Sequence, residues 1–314
     1  MKIAILDDYQ DAVRTLSCFE LLNAHQVSVF NDTYPEADLI SKLQDIEALV
    51  LIRERTVITE NLLANLPNLK VISQTGKVSN HIDPEMCEQY GVKVLEGRGS
   101  PVAPSELCWA LIMSASRHLD TYGAQLQQGN WQSSQGRGLG RTLSGLTLGI
   151  WGYGKIGRRI AQYAKAFDLS VLVWGSEGSR QQAQADGFQA AESKEAFFAT
   201  ADIVSLHLRL NQVTQYCVTA EDLQAMKPDA LFVNISRAEL VAPNALLEVM
   251  TAEPSKMAAI DVYVNEPATP ANEPLLALPN VVATPHLGYV EKNSYELYFR
   301  LAFENILAFE QGAA

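Results

Sequence analysis

The stretch LGIWGYGKIGRRIAQYAKAF, Leu148 to Phe167, holds Gly152, Gly154 and Gly157 in a G-x-G-x-x-G spacing. That spacing alone is weak evidence, and its flanks decide how it reads. An apolar run, Leu148–Trp151, precedes it, and Ile156, Ile160, Tyr163, Ala164 and Phe167 follow at helical intervals. A second apolar run, Val171–Trp174, closes a βαβ unit. In such a unit the first glycine makes the tight turn and the second lets backbone amides approach a pyrophosphate. The third lets helix and strand pack closely. The helix N-terminus then favours phosphate through its free N–H groups and its dipole. The chemistry predicted is dinucleotide binding; a ligand-free glycine turn is the plain alternative, and the βαβ context weighs against it.

Three later segments place titratable side chains just past predicted strands. VNISRAELV puts Arg237 after Leu231–Ile235, AAIDVYVNEP puts Asp261 and Glu266 after Met257–Ile260, and VVATPHLGY puts His286 after Val281–Ala283. Ligands of open α/β sheets bind at the carboxyl ends of the strands. Singly, an Arg there is usually an ion-pair partner, Glu-Pro a turn and a His a structural residue. In order after a dinucleotide fingerprint, they read as one set facing a bound nicotinamide.

The tip of the second fingerprint strand leaves the cofactor open. An NAD-preferring site usually ends this strand with an acid for the ribose hydroxyls. Here the strand runs into Gly175-Ser176-Glu177-Gly178-Ser179-Arg180. Gly175 stands at the acidic position and Glu177 comes two residues late. Ser176 and Arg180 suit a 2′-phosphate. NAD and NADP both remain candidates.

The elements that must position these residues alternate along the whole chain. Strands are predicted at Lys2–Leu6, Gln26–Phe30, Ala48–Ile52, Lys70–Ser73 and Val92–Leu95, with helices at Ala12–Leu22, Ala37–Leu43 and Thr59–Ala64. A helix from about Pro104 to Leu119 precedes a polar, glycine-rich segment, Gln125 to Arg141. Beyond the fingerprint come strands Ile203–Leu206, Leu231–Ile235, Met257–Val262 and Val281–Ala283, then a last helix, Ser294 to Phe309. Short strands separated by helices predict parallel sheets covered on both faces. The chain has 314 residues, enough for two cores, and 47% hydrophobic against 19% charged content is globular. A net charge of -12 argues against a nucleic-acid partner, which needs a basic face. The four cysteines are scattered and no His/Cys spacing suits a metal, so none is expected. The sequence has no signal-like N-terminus and no long apolar run, which predicts a cytoplasmic protein off the membrane.

Together GYGKIG, SLHLRL, VNISRAELV, DVYVNEP and TPHLGY closely resemble the D-isomer-specific 2-hydroxyacid dehydrogenases, over essentially the whole chain. The resemblance implies an α/β protein of two Rossmann- or flavodoxin-like domains with the active site in the cleft between them. It implies a substrate-binding domain of residues 1–99 plus 290–314 and a dinucleotide-binding domain of residues 100–289. It implies NAD or NADP as cofactor, a 2-hydroxy or 2-keto acid such as glyoxylate or hydroxypyruvate as substrate, and a homodimer formed through roughly Pro104 to Arg141. The apolar excess of Leu107, Trp109, Leu111, Ile112 and Met113, and a lone Trp131, fit such an interface.

Carried over by motif, the resemblance makes Arg237, Glu266 and His286 the catalytic set. An arginine can hold a carboxylate bidentately. A histidine can give a proton to the forming alkoxide and take it back in reverse. A neighbouring carboxylate favours the imidazolium and fixes the ring. Glu266, where formate dehydrogenases carry Gln, disfavours formate. Implied cofactor contacts are Gly152, Gly154, Lys155, Ile156, Gly157, Ser176, Leu208, Thr214, Ile235, Ser236, Asp261 and Gly288. Asp261 is expected near the carboxamide, or else as a turn cap. The substrate carboxylate is expected on the loop of Lys77, Val78 and Ser79, with Ser100 nearby. Lys77 and Val78 depart from the family's small residue and Gly, and Lys77 either adds charge to the site or snorkels to solvent. Arg209 replaces the proline of the family's H-x-P-L and again keeps NADP open. Corepressors on this fold retain the same triad, so a dinucleotide-sensing regulatory protein is the competing class.

Overall fold

Buried parallel strands read as unbroken runs of Val, Ile, Leu and Ala, because both faces are covered. Twelve strands organise the computed structural model, which describes residues 1–313, and the central ones are buried in this way. Residues 1–100, together with the chain from Val290 on, make one compact unit, and Pro101–Tyr289 make a second. The expectation of two parallel-sheet α/β domains is borne out.

In the first unit, β1 (Lys2–Ile5), β2 (Gln26–Val29), β3 (Ala48–Leu51), β4 (Val71–Gln74) and β5 (Lys93–Glu96) form a sheet of order β2-β1-β3-β4-β5. This is the flavodoxin-like order. The last helix, Lys292–Glu310, covers this sheet and buries Tyr295, Tyr298, Phe299, Phe303 and Ile306. The helix predicted over residues 12–22 is instead two 3₁₀ turns, Val13–Thr15 and Ser17–Leu22, parted by an extended Leu16. The segment buries Val13, Leu16, Cys18 and Leu22, a spacing that does not keep one α-helical face.

In the second unit, β6 (Thr147–Trp151), β7 (Ser170–Trp174), β8 (Gln189–Ala190), β9 (Ile203–Leu206), β10 (Leu231–Asn234), β11 (Met257–Ile260) and β12 (Val281–Ala283) form a second sheet. Its order, β12-β11-β10-β9-β6-β7-β8, is a doubly wound Rossmann order extended by one strand, with its switch point between β6 and β9. The register is level at the carboxyl end. Trp174 pairs with Trp151, Trp151 with Leu206, Leu206 with Asn234, Asn234 with Ile260 and Ile260 with Ala283. The next residue of each strand therefore stands on one rim: Gly175, Gly152, His207, Ile235, Asp261 and Thr284.

The long helix ahead of this sheet spans Val102–Arg117 and ends at His118, whose φ of 52° turns the chain into a second helix, Leu119–Gln127. Its apolar side chains pack on the core of this unit, with Leu107, Trp109 and Met113 only partly buried. Leu111 and Ile112 are core residues; Leu107, Trp109 and Met113 pack on the same core, with Trp109 against Tyr163 and Phe167. The exposed apolar side chains lie further on, at Leu119, Leu126, Trp131 and Leu139.

Candidate active site

The fingerprint glycines meet the spatial demands the sequence set for them. Gly152 has φ +99°, and a Cβ there would stand 2.5 Å from the His207 carbonyl oxygen. A Cβ on Gly157 would collide with the Gly152 carbonyl oxygen, while nothing lies within 4 Å of the same point on Gly154. The turn is thus crowded on the protein side and open at Gly154, as close approach of a phosphate requires. The helix Lys155–Ala166 starts there with Gly154 as N-cap and no side chain spent on capping it. These residues fit a dinucleotide.

At the β9 end, Leu208 packs beside Gly152, and the Thr214 hydroxyl donates to the Arg209 carbonyl at 2.5 Å, closing a turn. His207 Nε2 lies 3.0 Å from Ser205 Oγ, which in turn lies 3.4 Å from Cys108 Sγ. Burial pushes the Cys108 thiol up to about 12 and the His207 imidazole down to about 3, so both are neutral.

The β10 end is shaped by Asn234, a residue the sequence reading passed over. Its Nδ2 donates to the Arg237 carbonyl at 2.8 Å and its Oδ1 accepts from Ser236 N at 3.0 Å. Ser236 Oγ donates to the Leu206 carbonyl at 2.8 Å, tying this turn to β9. Arg237 follows, half-buried, with Nη1 donating to the Ser236 carbonyl at 2.6 Å. Ile235, 8% exposed, belongs to the apolar core of this unit.

The β11 and β12 ends are stitched together. His286 Nδ1 lies 2.7 Å from Glu266 Oε2, and Glu266 Oε1 accepts from Tyr263 N at 3.1 Å. Asp261 is fully buried. Its Oδ1 accepts from Thr284 Oγ1 at 2.6 Å and Leu287 N at 2.7 Å, and its Oδ2 from Gly288 N at 2.9 Å. Burial raises its pKa against the pull of these bonds and of the His286 charge. Asp261 thus caps the 284–288 loop, and Oδ2 keeps acceptor capacity beyond its bond to Gly288 N.

In the first unit, Lys77 and Val78 are engaged within the protein. Lys77 Nζ pairs with Glu96 Oε1, and Val78 N donates to Glu96 Oε2 at 3.1 Å. The Lys77 side chain is 70% exposed, so it reaches solvent and pairs there with Glu96 as a surface ion pair. Ser79 is exposed and accepts from Ile82 N through its carbonyl; Ser100 is half-buried. A second cation, Arg53, reaches this loop from beyond β3, with its Nε 3.8 Å from Glu54 Oε2. Its φ is 55° and its guanidinium occupies the space a Cβ on Gly76 would need.

The family model for the D-isomer specific 2-hydroxyacid dehydrogenase NAD binding domain matches residues 109–288. A glyoxylate reductase of Aeropyrum pernix is 32% identical over 88% of this chain and 84% of its own length. A D-3-phosphoglycerate dehydrogenase of Methanocaldococcus jannaschii is 30% identical over 92% of this chain, which spans 53% of that longer protein. The crystal structure of a phosphoglycerate oxidoreductase from Vibrio cholerae O395 is 66% identical and superposes with a TM-score of 0.99, covering 100% of both chains. By the matched domain and these relatives, together with the glycine turn and the strand-end residues, the chain belongs to the D-isomer-specific 2-hydroxyacid dehydrogenases.

Proposed function

We propose that this chain interconverts a small 2-keto acid and its D-2-hydroxy acid, with glyoxylate or hydroxypyruvate as the keto acid. The observation that carries the proposal is the 2.7 Å His286–Glu266 hydrogen bond at the carboxyl ends of β11 and β12. The neighbouring β10 end supplies Arg237. The dinucleotide, when bound, supplies or accepts the hydride.

The chain's own residues do the rest. Glu266 takes the Nδ1–H of His286, which leaves Nε2 as the proton donor to the carbonyl oxygen in reduction and the acceptor in oxidation. Arg237 holds the substrate carboxylate and polarises the adjacent carbonyl. Asn234 and Ser236 hold the turn that carries Arg237, and Asp261 holds the loop that carries His286. Residues 1–99 and 290–314 serve as the substrate domain, where Arg53 against Gly76 adds a cation for an anionic substrate. Residues 100–289 serve as the dinucleotide domain. The exposed Trp131 and Leu139 suit a homodimer.

The test is a panel of 2-keto acids with NADH and NADPH, run on the parent, His286→Ala and Arg237→Ala. His286→Ala should lose roughly 10²–10⁴-fold in turnover with cofactor binding intact. Arg237→Ala should lose both substrate affinity and turnover. No oxidation of either cofactor by any keto acid would favour a dinucleotide-sensing protein instead, and near-parental turnover of His286→Ala would remove that residue's role.

A further inference from the structure

The rim of the second sheet has a chemical polarity. The residues assigned to proton transfer follow β11 and β12, the glycine turn follows β6, and Gly175-Ser176 follow β7 on the far side of that turn. Gly175 stands beside the turn, since its Cβ position would lie 3.7 Å from Gly152 N. A dinucleotide with its pyrophosphate at Gly152 and its nicotinamide toward β11 therefore brings its adenosine ribose to the tip of β7.

Three features of that tip bear on which ribose it receives. Gly175 has φ +145°, a conformation that L side chains rarely adopt, so the strand end cannot hold the usual ribose-binding carboxylate without moving its backbone. Arg180 is the second. Its guanidinium lies over the Trp174 ring, 5.0 Å from the centroid, and its Nε is buried without a hydrogen-bond partner. No ion pair to Arg180 occurs among the described residues, in a chain of net charge -12. The cation–π contact places this guanidinium beside Trp174, and its Nε remains available as a donor. The third is a pair of hydroxyls, Ser176 Oγ and Ser179 Oγ, 3.2 Å apart. The nearest acid in sequence, Glu177, is bonded to Gln181 Nε2 at 3.0 Å.

We infer that the β7 tip is a 2′-phosphate site, and that Gly175, Ser176, Ser179 and Arg180 make this chain prefer NADP(H) over NAD(H). Arg180 supplies charge-assisted hydrogen bonds to the phosphate, the two serines donate from their hydroxyls, and Gly175 removes the carboxylate that would repel it. The inference rests on the proposed dinucleotide-dependent reaction and adds which dinucleotide drives it.

The experiment reads binding, not turnover. Isothermal titration with adenosine 5′-monophosphate, adenosine 2′,5′-bisphosphate and adenosine 3′,5′-bisphosphate isolates the 2′ position at matched charge. NADH and NADPH titrations follow as a second measurement. The parent should bind the 2′,5′-bisphosphate roughly tenfold or more tighter than the monophosphate, and tighter than the 3′,5′ isomer. The preference should shrink below about pH 6, where a phosphate monoester takes up its second proton. Arg180→Ala should abolish the preference while changing monophosphate binding little. Equal binding of monophosphate and 2′,5′-bisphosphate by the parent would overturn the inference without any variant, and so would equal binding of the two bisphosphates. Parallel weakening of all three ligands by Arg180→Ala would also overturn it. Binding of none, nor of either cofactor, would instead overturn the proposed function itself.

Discussion

Replacing Glu266 by Gln separates charge from geometry at the His286 ring. The carboxylate now serves two donors, His286 Nδ1 at 2.7 Å through Oε2 and Tyr263 N at 3.1 Å through Oε1. A glutamine has one acceptor oxygen to offer and must turn its NH₂ toward the other donor. If the oxygen stays with His286, Tyr263 N–H loses its partner, at a stability cost of about 1 kcal/mol or more. The ring keeps its orientation but loses the counter-charge to its protonated form. Hydrogen bonds to charged groups contribute about 1.5–3 kcal/mol and are about twice as strong as neutral ones. Roughly 1 kcal/mol of preference for the imidazolium should therefore disappear. The sign follows from the role. Reduction needs the imidazolium, so its alkaline limb should shift to lower pH. Oxidation needs the neutral ring, so its acid limb should shift to lower pH as well. The assay is kcat/KM against pH in both directions on the best keto acid and hydroxy acid. Limbs that stay in place, or that move upward, would refute the idea that Glu266 acts on the ring through its charge.

Asp261→Asn should lower stability by about 2–4 kcal/mol, because the new NH₂ faces Gly288 N–H in a fully buried place; chemical denaturation reads this. It should raise the cofactor KM more than it lowers kcat, and a pH limb displaced as far as in Glu266→Gln would count against a positioning role. His207 sits near 3 in the fold through burial, against about 6.5 in an unfolded chain. The unfolded chain therefore binds the extra proton, so stability is fully present above about pH 6.5 and declines as pH falls toward 3, by up to about 1.4 kcal/mol per unit. His207→Gln should flatten that slope between pH 6.5 and 4.5, and an unchanged slope would show that other groups set it. Trp131→Glu should shift the sedimenting species toward the 34.5 kDa monomer while leaving the circular dichroism spectrum unchanged; a parent already monomeric at micromolar concentration would reject the dimer.

The sheets were legible because burial on both faces writes strands as continuous apolar runs, as in Ala48–Leu51 and Leu231–Asn234. The candidate site was legible for a related reason: its residues come directly after such runs. What the sequence hid are features set by pairing across the fold. Nothing local says that Glu96, at the end of β5, takes both Lys77 Nζ and Val78 N. Arg53 was hidden inside the charged run RER, where its left-handed backbone and its seat on Gly76 leave no mark in composition. The break at His118 was equally silent, since no Gly or Pro stands there to signal a positive φ. Asn234 could have been found, because a buried amide at a strand end must satisfy its donors, and a following turn is the nearest place to do so.

The backbone of His286 shows how the fold holds its proposed acid–base group. Its φ of 52° lies in the left-handed region, uncommon for non-glycine residues although His enters it more readily than most, and neighbours hold it there. They do so from the segment that follows β11. Asp261 takes the amides of Leu287 and Gly288, just after His286, and the hydroxyl of Thr284, just before it. Tyr263 Oη donates to the Thr284 carbonyl at 2.9 Å, and Glu266 holds the ring itself. The Tyr289 ring, 5.5 Å from that of His286 and edge-on to it, packs against its side. Loop 284–288 is thus folded onto loop 261–266 by hydrogen bonds at backbone and side chain alike. The level register of β11 and β12, Ile260 opposite Ala283, is what starts the two loops at the same height. A one-residue slip of β12 would carry His286 out of reach of Glu266 and part Asp261 from its amides. The buried apolar runs that set strand register therefore also set the imidazole–carboxylate distance on which the proposed chemistry depends.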